Sequence, residues 1–295
     1  MRILITGASG MLGATLVKVL SQNYNVYATG NSDFDNQTIN YKKFDLLNES
    51  YEELIAWANP DIIIHSGALT NGNYCDQNPI EALNINGVSL RKILAATGNK
   101  VKIIYISTDA VFSSSLHMAK ENDCVSPENV YGKSKELGEF FLLNSERDYL
   151  IVRTTIVGLN ENKNKSGFVE WILNSSKGGE KINLFDDVLF NPISIWQLTD
   201  ELGYLISNNL ISSEVIHIAG NQICTKYEFG QLLLKELKLP MEKVEIGSIN
   251  SFKDRAKRAA DQSLDCTYYQ NKYQRKLPSL IETITSIKKH YYEKY

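Results

Sequence analysis

Met1-Arg-Ile-Leu-Ile-Thr-Gly-Ala-Ser-Gly-Met-Leu-Gly13 begins as an apolar strand and runs straight into three glycines spaced three apart. Gly7 suits the tight turn off the strand, and Gly10 lets the backbone come close to a phosphate. Gly13 falls in the first helical turn, where a Cβ would push the helix off the sheet. Leu12, Leu16, Val17 and Leu20 then recur at helical spacing, so an amphipathic helix follows whose unpaired N–H groups and dipole face an anion. Strand, turn and helix arrive in the order that a dinucleotide's pyrophosphate needs, with Ser9, Met11 and Leu12 filling the turn between the glycines. On this stretch alone, a plain strand–turn–helix stays open.

Further along, Tyr131-Gly-Lys-Ser-Lys135 sets a phenol and an ammonium four residues apart, on one face of a helix. A phenol with a reference pKa of about 10 is a weak acid–base group at neutral pH. An ammonium one turn away favours the phenolate and draws it toward working range. Upstream, the apolar run 103–107 ends in Ser107-Thr108-Asp109, where a strand-end hydroxyl can meet the Tyr131 phenol over one substrate carbonyl. Each piece has a plainer reading: Tyr and Lys at this spacing sit on many surface helices, and Ser-Thr-Asp is a common cap. Their order behind a glycine turn is what makes Thr108, Tyr131 and Lys135 a catalytic set.

These stretches resemble the extended short-chain dehydrogenase/reductases and, within them, the dTDP-4-dehydrorhamnose reductase group. The matching segments are TGASGMLG at 6–13, HSGALTN at 65–71, STDAVF at 107–112, ENVYGKSKELGE at 128–139, VRTT at 152–155, NPIS at 191–194 and KRAADQSLD at 257–265. The resemblance implies NAD(P)H-dependent reduction of a keto group on a nucleotide-activated, 4-keto-6-deoxy sugar. Tyr131 would give the proton, Lys135 would also hold the nicotinamide ribose, and Thr108 would donate to the same carbonyl oxygen. It further implies that Asp45 and Leu46 read the adenine and that Gly67 and Ala68 let the backbone pass close to the dinucleotide. Asn86 would buttress the site, with a plain polar residue on a surface helix as its alternative.

The end of the second strand decides between the two nicotinamide dinucleotides, because an acid there accepts from the ribose 2′-hydroxyl. Tyr27-Ala28-Thr29-Gly30-Asn31-Ser32 brings no acid before Asp33, and Gly30 stands where many NAD-preferring relatives carry Asp or Glu. NADP(H) is therefore favoured over NAD(H), with Asn31 and Ser32 as holders of the 2′-phosphate and no arginine in sight to clamp it. Dehydratases of the superfamily place an acid after Thr-Asp to expel a hydroxyl; here Ala110 stands in its place. An epimerase keeps the same Tyr/Lys pair and stays open. So does a non-catalytic NADP-binding regulatory subunit like the methionine adenosyltransferase β-subunit, which resembles this group.

In the expected substrate region the chain departs from the group. RTSW becomes Arg153-Thr154-Thr155-Ile156, and D-x-Y-G-x-P-T becomes Asp187-Val188-Leu189-Phe190-Asn191-Pro192-Ile193. Ile156 and Val188 thus replace residues that the group sets against its sugar, which predicts a different sugar or a different hand of reduction. Lys253, Arg255, Lys257 and Arg258 form a basic run, either a solvated loop face or a seat for the substrate's diphosphate. Arg258, inside a matching segment, is the best single choice.

Composition limits what else is open. The 295 residues are 43% hydrophobic and 22% charged with net charge −3, so no global basic field recruits nucleic acid. No apolar run reaches the roughly 18 residues of a membrane span, and a strand at the N-terminus leaves no room for a signal peptide. Four scattered cysteines and four histidines lack ligand spacing, so no metal is expected and a cytoplasmic protein with reduced thiols is. A homodimer is allowed for.

Apolar strands at 2–6, 25–29, 61–65, 101–107 and 149–153 alternate with helices near 11–21, 49–58, 78–96 and 129–145. That alternation predicts an α/β fold with a Rossmann-type doubly wound parallel sheet over residues 1–155. Residues 156–295 carry the polar loop 160–167, helices near 168–176, 195–207, 225–237 and 278–292, and short strands near 182–185 and 214–218. They predict a smaller C-terminal α/β substrate lobe over the sheet's carboxyl edge, and the resemblance implies that parts of 188–210 return to the first domain.

Overall fold

A computed structural model describes residues 1–34, 39–162, 165–251 and 256–294. The first half alternates β1 (Arg2–Thr6), α1 (Met11–Leu20), β2 (Asn25–Gly30), β3 (Asn40–Lys43), α2 (Tyr51–Ala58) and β4 (Ile62–His65). It continues through α3 (Gly72–Gln77), α4 (Pro79–Leu83), α5 (Ser89–Ala96), β5 (Lys102–Ile106), α6 (Val130–Leu143) and β6 (Tyr149–Arg153). Strands such as β4, Ile62-Ile-Ile-His65, are buried along their whole length because helices cover both faces of the sheet.

The second half holds β7 (Ile156–Val157), α7 (Phe168–Lys177), β8 (Ile182–Phe185), β9 (Leu189–Phe190), β10 (Ile193–Ser194), α8 (Ile195–Ser207) and β11 (Glu214–His217). After these come β12 (Cys224–Thr225), α9 (Lys226–Glu236), β13 (Val244–Gly247), β14 (Asp261–Gln262), α10 (Thr267–Tyr273) and α11 (Leu280–Lys294).

The main sheet runs β11-β6-β5-β4-β1-β2-β3, all parallel. Strand order reverses between β1 and β4, and the crevice outside their carboxyl ends is where such sheets bind ligands. Later segments contribute to the first half's sheet and core. The seventh strand, β11, comes from residues 214–217, and Leu198, Leu202 and Leu205 of α8 join Leu16 and Leu20 of α1 in the core under the sheet. Tyr269 and Tyr273 of α10 join it too. A second core, with Ile172, Leu184, Phe190, Phe229, Leu233 and Ile284, builds the lobe.

The helix expected over 78–96 is interrupted: Asn84–Val88 takes a π-helical turn, a local widening common at functional sites. Among the described residues no helix is long and apolar enough to cross a membrane, and no cluster of His, Cys, Asp and Glu is placed to hold a metal.

Candidate active site

At the switch point two backbones touch. Gly7 has φ 73°, and a Cβ on it would lie 2.5 Å from Gly67 Cα; a Cβ on Gly13 would lie 2.1 Å from Gly7 O. Gly10 caps α1 without a side chain, so the N–H groups of Met11 and Leu12 in the first turn have no intrahelical acceptor and face the crevice end of the sheet. This cradle, which any side chain would fill, fits a dinucleotide's pyrophosphate.

Around it, Leu46 Cδ1 lies 3.0 Å from where a Gly67 Cβ would stand, and Ala68 is half-buried. The Asp45 carboxylate accepts from Leu47 N at 2.9 Å and Asn48 Nδ2 at 2.7 Å, so it orders its own turn. Asn86 is fully buried and is no surface residue. It accepts from Leu69 N at 2.7 Å and donates to Leu69 O at 2.9 Å and Ser134 Oγ at 2.8 Å, tying the loop after β4 to α6. At the end of β2, a Gly30 Cβ would lie 2.7 Å from Ser9 Oγ and 3.1 Å from Tyr41 Oη. Asn31 is exposed, and the carbonyl of half-buried Ser32 accepts from Tyr41 Oη.

Thr108 and Tyr131 come together because α6 presses on the turn after β5. A Cβ on Gly132 would lie 2.2 Å from Ala110 O and 2.7 Å from Pro127 Cβ, so only glycine allows this approach. Asn129 caps the helix by accepting from Gly132 N at 2.8 Å. Thr108 thereby stands close enough to the Tyr131 phenol to lower its pKa. Its hydroxyl also donates to Asp109 Oδ1 at 2.7 Å.

The electrostatics correct one expectation. Burial raises the Tyr131 pKa above its ordinary value, Thr108 opposes that rise, and the Asp109 charge adds to it. Lys135 is 2% exposed with Nζ 4.0 Å over the Tyr105 ring, and burial takes its own pKa down to about 7 while Glu139 pulls the other way. Desolvation, rather than a lysine drawing the phenol toward neutrality, governs the pair. Tyr131 keeps its proton.

Below Lys135, one turn along α6, Glu139 Oε2 accepts from buried Arg153 Nη2 at 2.7 Å and Oε1 from Ser107 Oγ at 2.5 Å, locking α6 to β5 and β6. His65 Nδ1 meets Thr6 Oγ1 at 2.7 Å and its Nε2 meets Ser89 Oγ at 3.0 Å. Burial drives its pKa to about 3, so it is a neutral core histidine and no acid–base group.

On the expected substrate side, residues 256–262 form a strap pinned to α3, the start of α6 and β9. Ala256 N donates to Asn73 Oδ1 at 2.8 Å, Asn129 Nδ2 to Lys257 O at 2.7 Å, and Leu189 N to Ala260 O at 2.8 Å. Arg258 is exposed on this strap; Lys253 and Arg255 lie outside the described residues. Ile156 is half-buried opposite Ile193. Val188 is only 2% exposed and enters through its carbonyl, which accepts from Lys226 N at 3.1 Å.

Lys226 itself escaped the sequence reading. Its Nζ lies 3.3 Å over the Phe190 ring and 5.2 Å from that of Phe168, and it interacts electrostatically with both Asp109 and Arg258. Burial lowers its pKa to about 8, while Asp109 opposes the fall. A signal was present: Thr225 and Glu228 form a capping box, which places a cation at the first helical position, the wrong end of the dipole.

The RmlD substrate binding domain family model matches residues 1–293. The spore coat polysaccharide biosynthesis protein SpsK of Bacillus subtilis is 28% identical over 239 residues, covering 80% of this chain and 79% of that one. Methionine adenosyltransferase 2 subunit beta of Rattus norvegicus is 28% identical over 247 residues, covering 81% and 73%. The crystal structure of dTDP-4-dehydrorhamnose reductase from Bacillus anthracis in complex with NADP matches with a TM-score of 0.85 and 26% identity, over 97% of this chain and 98% of that one.

Proposed function

The chain belongs to the RmlD substrate-binding domain family, and from that premise we propose that it reduces the keto group of a nucleotide-activated, 4-keto-6-deoxy sugar with NADPH. The observation that carries this reading is Thr108 beside Tyr131, with buried Lys135 one turn along the same helix, in a sheet whose first turn is a glycine cradle. NADPH, when bound, supplies the hydride.

The first-turn N–H groups of α1 would hold the pyrophosphate, and Gly67 and Ala68 would let the backbone pass beside the dinucleotide. Thr108 and Tyr131 would take the ketone oxygen between them, which would orient the carbonyl for reduction. Tyr131, kept protonated by burial, gives its proton to the developing alkoxide, a step that contributes about two to four orders of magnitude in rate. Lys135, one turn along α6, would offset part of the cost of the phenolate left behind and would hold the nicotinamide ribose. Ala110 offers no acid to expel a neighbouring hydroxyl, so elimination lacks its proton donor.

Arg258 and Lys226 face the substrate's charge. With Ile156 and Val188 in place of the usual sugar contacts, the preferred substrate differs from dTDP-4-dehydrorhamnose, or that compound turns over slowly. The reaction belongs to the cytoplasm and needs neither membrane nor nucleic acid. Similarity to methionine adenosyltransferase 2 subunit beta supports a second reading, a regulatory subunit that binds the dinucleotide without turnover.

The test is a panel of keto-sugar nucleotides, dTDP-4-dehydrorhamnose among them, offered with NADPH and with NADH while nicotinamide absorbance is followed. Steady consumption with at least one member, faster with NADPH, is expected. Cofactor binding without turnover on any member, together with a stable protein partner, favours the second reading.

A further inference from the structure

Ser9 stands where three parts of the chain meet: the glycine turn, the end of β2 and a connection from the C-terminal lobe. Its Oγ is 2.7 Å from where a Gly30 Cβ would be. Its carbonyl accepts from Lys165 Nζ at 3.0 Å, across 156 positions of sequence.

Lys165 is delivered by residues that the lobe fixes. Glu170, buried at the start of α7, accepts from the backbone N–H of Asn160, from the Asn160 side-chain amide at 3.1 Å and from Gly167 N at 2.8 Å. A Cβ on Gly167 would stand 4.0 Å from Met11 Sδ, so this connection lies against the glycine turn itself. A lysine ammonium carries three donors, and Ser9 takes one. Through Ser9 the ammonium stands near the strand end that reads the ribose 2′ position. At that strand end Gly30 brings no acid, and no arginine follows it. Lys43, opposite Gly30 on β3, is another cation near it; it is 63% exposed and paired with Asp33 at 3.9 Å.

We infer that Lys165 holds the 2′-phosphate of NADP(H), so that the C-terminal lobe rather than the connection after β2 sets the choice of cofactor. The inference rests on the dinucleotide reading of the glycine turn given above.

The experiment measures binding, not turnover, on the full chain. NADPH, NADH, 2′,5′-ADP and 5′-AMP are titrated into the parent protein and into Lys165→Gln, Lys165→Arg and Lys43→Gln, at two salt concentrations. The parent is expected to favour NADPH over NADH and 2′,5′-ADP over 5′-AMP. Lys165→Gln should weaken both phosphorylated ligands about tenfold or more and flatten their salt dependence, with the other two ligands within about twofold. Lys165→Arg should restore most of the preference, and Lys43→Gln should leave it in place.

An unchanged preference in Lys165→Gln, an equal loss for all four ligands, or loss of preference in Lys43→Gln instead would overturn the inference. The functional reading would survive each of those results. A parent protein that binds neither dinucleotide would refute that reading and this inference together.

Discussion

Replacing Lys135 by methionine should stabilise the protein below neutral pH, and the gain should fade as pH rises. Lys135 is 2% exposed, and burial takes its pKa from 10.5 to about 7. Between those values the unfolded chain holds the proton and the folded protein does not, so stability from this group rises with pH over that window. Below about 7 the charge is present in both states, and the fold bears the full cost of burying it. A tenfold change in proton affinity is about 1.4 kcal/mol, so the lysine costs the fold roughly 5 kcal/mol at pH 6 and roughly 2 kcal/mol at pH 9.

Methionine keeps the unbranched stem over Tyr105 and removes the charge. Unfolding entropy of about 2 cal/mol/K per residue turns those costs into a Tm gap of roughly 8 °C at pH 6 that narrows to roughly 3 °C at pH 9. Groups remote from Lys135 titrate alike in both proteins and cancel in the comparison. The assay is a pair of thermal melts, parent against Lys135→Met, across that pH range without cofactor. A variant less stable than the parent at pH 6, or a gap that ignores pH, would refute the claim that desolvation governs this lysine. The same variant should be almost inactive, as a site that stores strain for function would be.

Two further substitutions test the surroundings. Arg153→Met leaves the Glu139 carboxylate buried without its cation and should cost about 3–5 kcal/mol in urea unfolding, with Arg153→Met/Glu139→Leu recovering most of it; a loss under about 1 kcal/mol would show that the pair is not a lock. Lys226→Met should raise KM for the sugar nucleotide about tenfold at pH 7 and leave NADPH affinity alone. Because Lys226 loses its proton near pH 8, the gap between parent and variant should close above that pH, and a pH-independent gap would argue for packing alone.

Much of this was legible in the sequence because it is local. The glycine turn declares itself through residues within one strand and one helix, and Tyr131 and Lys135 share a helix face by spacing alone. The interruption of the 78–96 helix was not legible, since the bonds that hold Asn86 go to Leu69 and Ser134, 17 and 48 positions away. Strands such as β7, β9, β10, β12 and β14 have two residues each, too few to show a period, and form only because partners from distant segments reach them. Helix spacing put an ammonium near a phenol but said nothing of how deeply both would be buried, and depth decides the direction of each pKa. Lys226 stayed hidden for a related reason. Its surroundings, Asp109, Phe168 and Phe190, come from separate stretches of chain.

The central claim is that Tyr131 gives the proton in a ketone reduction, and the direct measurement is the rate of NADPH oxidation by Tyr131→Phe beside the parent, on whichever keto-sugar nucleotide the parent turns over. The substitution removes one hydroxyl and leaves the ring, so NADPH affinity should stay within a few-fold. The rate should fall by about two to four orders of magnitude. A Tyr131→Phe protein that keeps most of the parent rate would contradict the account.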